Sequence, residues 1–381
     1  MLNKRGMWEV QVDKEKKSTE NRRKTNRVDG ILLALVLLLL IMGLVLLYST
    51  SAYNGRVKFH DPAYYFKKQL FATALGLMAL YLVSQMDYHK IVRFAVPIYL
   101  TSLVLSTAVL FFGQEYNGSR RWLALGPLSF QPSEFAKAAV VIFLAKIIGE
   151  EKKKKDSFWF MAKTMILLLP IVGLVGTNNL STAIIILGIG VILIFISNPR
   201  YLPFVWVGTA GLGFVGIFLS LESYRLERLA IWRNPEKYEK GFQTIQGLYA
   251  IGSGGIFGKG LGSSLQKLGF VPEAQNDMIF SIICEETGLL GASLVIIVFG
   301  LLLWRLVVNA THAPDLQGAL ICGGIMGHMA LQVILNIAVV TNTIPNTGIT
   351  LPFISYGGTS VLFLMGEMGL ALSVSKYCRI R

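Results

Sequence analysis

The chain has 381 residues, 53% of them hydrophobic and only 15% charged, with a formal net charge of +14. Soluble domains carry about 25% charged residues, so an ordinary water-soluble enzyme or binding module is excluded. The basic residues concentrate in the tails and short loops, a distribution that reports membrane topology and removes the need for a nucleic-acid partner.

Residues 1–29 form a polar tail with Lys4, Arg5, Lys14, Lys16, Lys17, Arg22 and Arg23, a composition that predicts a disordered cytoplasmic segment. No small-residue cleavage site accompanies the apolar run that follows, so this run reads as an anchor and not as a cleaved signal. The run, Gly30 to Thr50, carries no charge and is long enough to cross a bilayer as a helix, which takes about 20 residues. Barrel strands would alternate over about 10 residues, and these runs do not.

Further apolar runs predict spans at 66–84, 91–112, 131–149, 158–176, 180–197, 202–220, 277–308, 316–340 and 356–376. The expected fold is therefore an all-α polytopic membrane protein with about ten helices. Lys90, Arg93, the "EEKKKKD" turn at 150–156 and the tail "KYCRIR" fall on the cytoplasmic side in this arrangement. Residues 30–376 form one transmembrane domain, and 377–381 a short cytoplasmic tail. Two outer segments are long enough to carry function: 112–130, and an extracellular loop at 221–276 between the seventh and eighth spans. Cys284, Cys322 and Cys378 have no metal-type spacing, and neither a disulfide nor a thiolate-held metal is expected.

Ionisable residues beside or within membrane spans are costly and mark function. In "FQPSEFAK", Glu134 and Lys137 stand three apart on one helix face and can pair, either as a brace or as the wall of a cavity. In "PEAQNDMIFSIICEETG", Asp277 lies at the outer mouth, with Glu285 and Glu286 deeper. Asp277 suits catalysis or a helix cap. The stretch "GSGGIFGKGLG" at 252–262 fits no phosphate-loop pattern. It reads either as a re-entrant loop or as a cradle that offers backbone amides and Lys259 to an anion.

Three stretches in order, "RWLALGPLSFQPSEFAK", "AIGSGGIFGKGLGSSLQKLGFVPEAQNDMIFSIICEETG" and "PNTGITLPFISYGGTS", resemble the SEDS family of shape, elongation, division and sporulation proteins, which includes FtsW, RodA and SpoVE. The "SSLQKLGFVPEA" segment is more similar to the FtsW and SpoVE branch. The resemblance implies a peptidoglycan glycosyltransferase that polymerises lipid II at the outer face of the bacterial cytoplasmic membrane. It also implies a class B penicillin-binding protein as transpeptidase partner. Asp277 matches the family's essential acid, Glu134 and Lys137 its paired charges, and Glu285 the first acid of its "EE.G". The same motifs bring Gln131, Ser133, Ser355 and Tyr356 to the substrate cavity. The chain departs from the family at "NNLST" (178–182), where "PDLGT" is usual, and at Asn342 and Asn346.

An acceptor sugar hydroxyl needs a base, and Asp277 is the residue expected to supply it. The pyrophosphate leaves without protonation, and one carboxylate suffices. Arg120, Arg121, Lys259, Lys267 or a divalent cation, Mg or Mn, is expected to stabilise the leaving group; no organic cofactor is expected. Bilayer lipids surround the apolar faces. A lipid II flippase and a non-catalytic scaffold for the penicillin-binding protein are the alternatives.

Overall fold

In hydrocarbon, only a helix or a closed barrel satisfies every backbone polar group of a spanning segment, so the long apolar runs become helices. The computed structural model describes residues 28–116, 119–125, 128–151, 158–198 and 223–378, with positions 208, 209, 213 and 216. The expected basic tail, the "EEKKKKD" turn beyond its first two residues and most of the expected seventh span lie outside the described residues.

The helices in chain order are α1 (Gly30–Phe59), α2 (Tyr64–Gln85), the short α3 (Tyr88–Arg93), α4 (Ala95–Phe112), α5 (Pro132–Glu150), α6 (Phe158–Asn178) and α7 (Leu180–Ser197). After these come α8 (Ser223–Arg233), α9 (Phe242–Gly254), α10 (Ile279–Thr311), α11 (Leu316–Val340) and α12 (Gly358–Ser375). Eight of them, α1, α2, α4, α6, α7, α10, α11 and α12, are long and apolar enough to cross a membrane.

Polar caps start several helices. Asp29 accepts from the amides of Ile31 and Leu32 at α1, Asn179 from Thr182 at α7, and Asp315 from Gly318 at α11; each satisfies amides that have no helical partner. The "NNLST" departure thus has a structural use, since Asn caps about as well as Asp.

Helix α5 is the centre of the bundle, packed against α4, α7 and α11. It is too charged to count among the eight, with Glu134, Lys137 and Lys146, and Ala136, Ala139, Val140, Leu144 and Ile148 are fully enclosed. Alternating helices give the bundle two ends. At one, Asp29 joins Arg305 (2.6 Å), Asn309 (3.0 Å) and Ser375 (3.1 Å). At the other lie Phe59, Asn178, Asp277 and Gly358.

The segments at the Asp277 end differ from plain loops. Between α4 and α5 lies a small antiparallel sheet of β1 (Gln114–Tyr116), β2 (Ser119–Leu125) and β3 (Leu128–Phe130), in the order β1-β2-β3. The expected loop at 221–276 is largely ordered by α8 and α9. Helix α10 starts at Ile279, two residues later than the sequence suggested, which leaves Asp277 just outside it.

Candidate active site

Asp277 sits where two of the three sequence motifs meet. The preceding turn, 272–276, is tied to the segment between α11 and α12: the Tyr356 amide donates to the Gln275 carbonyl at 2.9 Å. The Asn336 amide group donates to the carbonyls of both Asp277 (2.8 Å) and Ile349 (2.7 Å), and so holds the two strands of backbone side by side. Gly348, at φ 68°, lies against the carboxylate, and a Cβ there would come 3.8 Å from Asp277 Oδ2.

Asp277 does not cap α10, because the capping position belongs to Met278 with no side-chain bond. Burial pushes the Asp277 carboxyl up to about 6; Glu273 pushes the same way, and the amides of Asp277 and Met278 and the more distant Arg228 oppose it only in part. The side chain keeps partial access to solvent. A half-buried carboxylate with this proton affinity is suited to accept a proton near neutral pH.

Helix α8 closes over this region. Trp232 Nε1 donates to the Asn342 carbonyl (2.9 Å), and Arg228 Nη1 to the Asn346 carbonyl (3.2 Å). Asn342 adopts φ 54°, a left-handed conformation that Asn tolerates better than most residues. The two asparagine departures therefore sit at the contact between α8 and the loop beside Asp277.

Glu134 and Lys137 do pair, at 2.9 Å, with only 8% and 2% of their side chains exposed. The pair continues into the bundle. Lys137 Nζ donates to Gln332 Oε1 (3.0 Å), His328 Nε2 meets the same oxygen at 2.9 Å, and His328 Nδ1 meets Glu367 Oε2 at 2.8 Å. Gln332 Nε2 donates to the Thr350 carbonyl at 3.0 Å, two residues beyond Gly348. The sequence reading missed Gln332, His328 and Glu367. Their signal was available: His328 and Gln332 stand four apart in one apolar run, and Glu367 interrupts another. His328 and Glu367 lie mid-helix in α11 and α12, so ionisable groups also extend deep into the bundle.

Glu285 and Glu286 face the glycine-rich loop. Glu285 accepts from Lys259 Nζ (2.7 Å), from Ser264 Oγ and from the amides of Leu265 and Gln266 (both 3.3 Å). Glu286 pairs with Lys267 at 2.6 Å and accepts from Ser49 Oγ at 2.6 Å. The two lysines are thus committed to these glutamates, and the expected role of Lys259 and Lys267 beside a leaving pyrophosphate loses its support. Glu285 itself is fully buried and acts as an anchor for the loop.

Arg120, Arg121 and Ser133 line a small open depression together with Ser106, Asn178 and Asn179. Arg121 Nε donates to the Asn178 carbonyl at 2.9 Å. Asp277 is not among the walls of this depression. Ser181, near the start of α7, donates its hydroxyl to the Thr347 carbonyl at 3.1 Å, which ties α7 to the segment that carries Gly348. Gln131 precedes α5 without capping it. Ser355 Oγ accepts from the Leu351 amide (2.8 Å) and Tyr356 packs edge-on to Tyr65 (5.0 Å), so both shape the backbone beside Asp277. The three cysteines are free and buried.

Among the described residues no three His, Cys, Asp or Glu side chains converge to hold a metal. One carboxylate together with substrate phosphates is, however, an arrangement that Mg²⁺ accepts.

Membrane-spanning helices, with a small sheet and a carboxylate of raised proton affinity at one end, define a polytopic membrane protein with an acid site at its mouth. A family model described as cell cycle protein, spanning FtsW, RodA and SpoVE, matches residues 30–380, and the chain belongs to that family. It is 40% identical to stage V sporulation protein E of Bacillus subtilis, over 93% of this chain and 99% of that one. It is 35% identical to the probable peptidoglycan glycosyltransferase FtsW of Trichlorobacter lovleyi, over 91% and 93%. A chain of a solved peptidoglycan synthase complex, in which polymerization and crosslinking are coordinated, superposes with a TM-score of 0.75 at 30% identity, over 91% and 97% of the two chains.

Proposed function

We propose that this protein is a peptidoglycan glycosyltransferase that polymerises lipid II at the outer face of the bacterial cytoplasmic membrane, in division or sporulation, with Asp277 as its general base. The observation that carries the reading is the Asp277 carboxyl, raised to about 6 at the mouth of the bundle. Its relatives include a probable peptidoglycan glycosyltransferase, and its structural neighbour is a chain of a peptidoglycan synthase complex. In this reading the Asp277 end faces outward and both chain termini face the cytoplasm.

The acceptor hydroxyl gives its proton to Asp277 as its oxygen bonds to the donor's anomeric carbon. The bond from that carbon to the pyrophosphate breaks, and the pyrophosphate leaves with the electron pair. Because the leaving group is already a stable anion, it needs positive charge and no proton. Arg120 and Arg121, which line a depression at the same end of the bundle, are the side chains proposed to supply it. A divalent cation that arrives with the pyrophosphate would be held by Asp277 and the phosphate oxygens, and would add positive charge at the leaving group. A class B penicillin-binding protein is the proposed transpeptidase partner.

A lipid transporter would need its ionisable groups along a path. The chain from Glu134 to Glu367 runs deep into the bundle, but every member is buried, so it lines no path and reads as a brace. The test is incubation of the purified protein with lipid II, with and without a class B penicillin-binding protein. Glycan polymer on a gel is the expected result. Absence of polymer in both arms, with lipid translocated across vesicles, would replace the polymerase reading with transport.

A further inference from the structure

The hairpin at 241–271 has an unusual distribution of polarity. Its sequence, "GFQTIQGLYAIGSGGIFGKGLGSSLQKLGFV", holds only two charged side chains, Lys259 and Lys267. Both turn inward to Glu285 and Glu286. Its large apolar side chains turn outward instead: Phe257 is 80% exposed, and Ile256, Leu261, Leu265 and Phe270 each exceed half. An exposed apolar patch of this kind marks a contact with a membrane or another protein.

The backbone favours the membrane. Non-helical backbone survives at membrane depth only where its polar groups are satisfied within the protein. Here the Lys259 and Gly260 amides donate to the carbonyls of Glu285 and Glu286 (3.0 and 2.9 Å). The amides of Leu289 and Leu290 donate to those of Gly255 and Ile256 (2.9 and 3.1 Å). These bonds are possible because α10 breaks at Gly288, where φ is 67° and an added Cβ would fall 2.3 Å from the Gly258 nitrogen. The same bonds put Ile256 and Phe257 beside Leu289 and Leu290, which begin the exposed apolar face that continues to Leu294 and Ile297 of α10. The hairpin's rim is continuous with a surface that faces lipid. Just before it, Glu236, Lys237, Glu239 and Lys240 are exposed to water.

We propose that residues 248–270 form a wedge inserted among the acyl chains of the leaflet at the Asp277 end, with the charged turn at 236–240 at the water interface. The wedge returns through Pro272 directly to Asp277, and so fixes the carboxylate at the level where a lipid's polar head lies. This inference does not depend on which reaction Asp277 serves.

The experiment places a nitroxide at Phe257→Cys, the native cysteines being buried, and reconstitutes the full chain without any partner in phosphatidylglycerol–phosphatidylethanolamine vesicles. Collision with oxygen, which concentrates in lipid, is compared with collision with a water-soluble nickel chelate. Leu294→Cys and Glu239→Cys serve as lipid and water references. Oxygen collisions that dominate at 257, as at 294, are expected. Dominant nickel collisions, as at 239, overturn the wedge; if they vanish when a protein partner is added, the patch is a protein-docking surface. Protection from both reagents in the protein alone also overturns it and indicates that a second copy covers the face. Phe270→Cys repeats the measurement should the first variant misfold.

Discussion

Replacing Asp277 by Asn keeps the shape of the side chain and removes its basicity. With the carboxyl at about 6, the base is about 90% ionised at pH 7 and about 10% at pH 5, so kcat/KM for polymerisation should fall about tenfold between them. The direction follows from the role: only the ionised form accepts a proton, and the rate is lost as pH falls through 6. Asp277→Asn should lose this acidic limb and run about 10² to 10⁴ slower at neutral pH. Stability should move the other way. A carboxylate whose folded value lies above its unfolded one favours the fold when protonated and opposes it once ionised. The interval from 3.8 to about 6 sets that opposition on the order of 3 kcal/mol above pH 6. Asp277→Asn should therefore be at least as thermostable as the parent at pH 7.5, and less distinct from it at pH 5. The assay is glycan polymerisation from lipid II across pH 5 to 8, alongside thermal unfolding in detergent. A variant that is inactive because it unfolds, or one that polymerises at near the parental rate, would refute the assignment.

Lys137→Met leaves Glu134 charged and unpaired in the bundle, and should destabilise the fold by about 3–5 kcal/mol, with Glu134→Gln in the same chain recovering much of the loss; thermal unfolding of the single and double variants measures it. Glu285→Gln removes the charge that holds Lys259 and weakens the acceptor for Ser264 and two backbone amides, so hydrogen exchange at 258–268 should accelerate while α11 and α12 stay protected. Glu239→Cys should react with an impermeant thiol reagent applied to intact cells; reaction only after lysis would invert the proposed orientation.

The class of fold and most of its elements are legible in the amino-acid pattern. Runs such as Gly30 to Thr50 have no alternative to a spanning helix in hydrocarbon, and the helices α1, α2, α4, α6, α7 and α11 fall within several residues of their expected positions, save for the extension of α1 to Phe59. The same pattern also placed Asp277 beside the longest segment between spans, and paired Glu134 with Lys137, because a spacing of three on a helix is a local property. Tertiary structure decided what those residues meet. Lys259 and Lys267 looked available to an anion, but Glu285 and Glu286 neutralise them across a break at Gly288 whose consequence no local pattern encodes. His328 and Gln332 meet one turn apart on α11, but they join Lys137 of α5 and Glu367 of α12 into one chain only when the three helices pack together. The raised proton affinity of Asp277 has the same origin: it comes from the desolvation imposed by segments distant in sequence, which composition and spacing do not report.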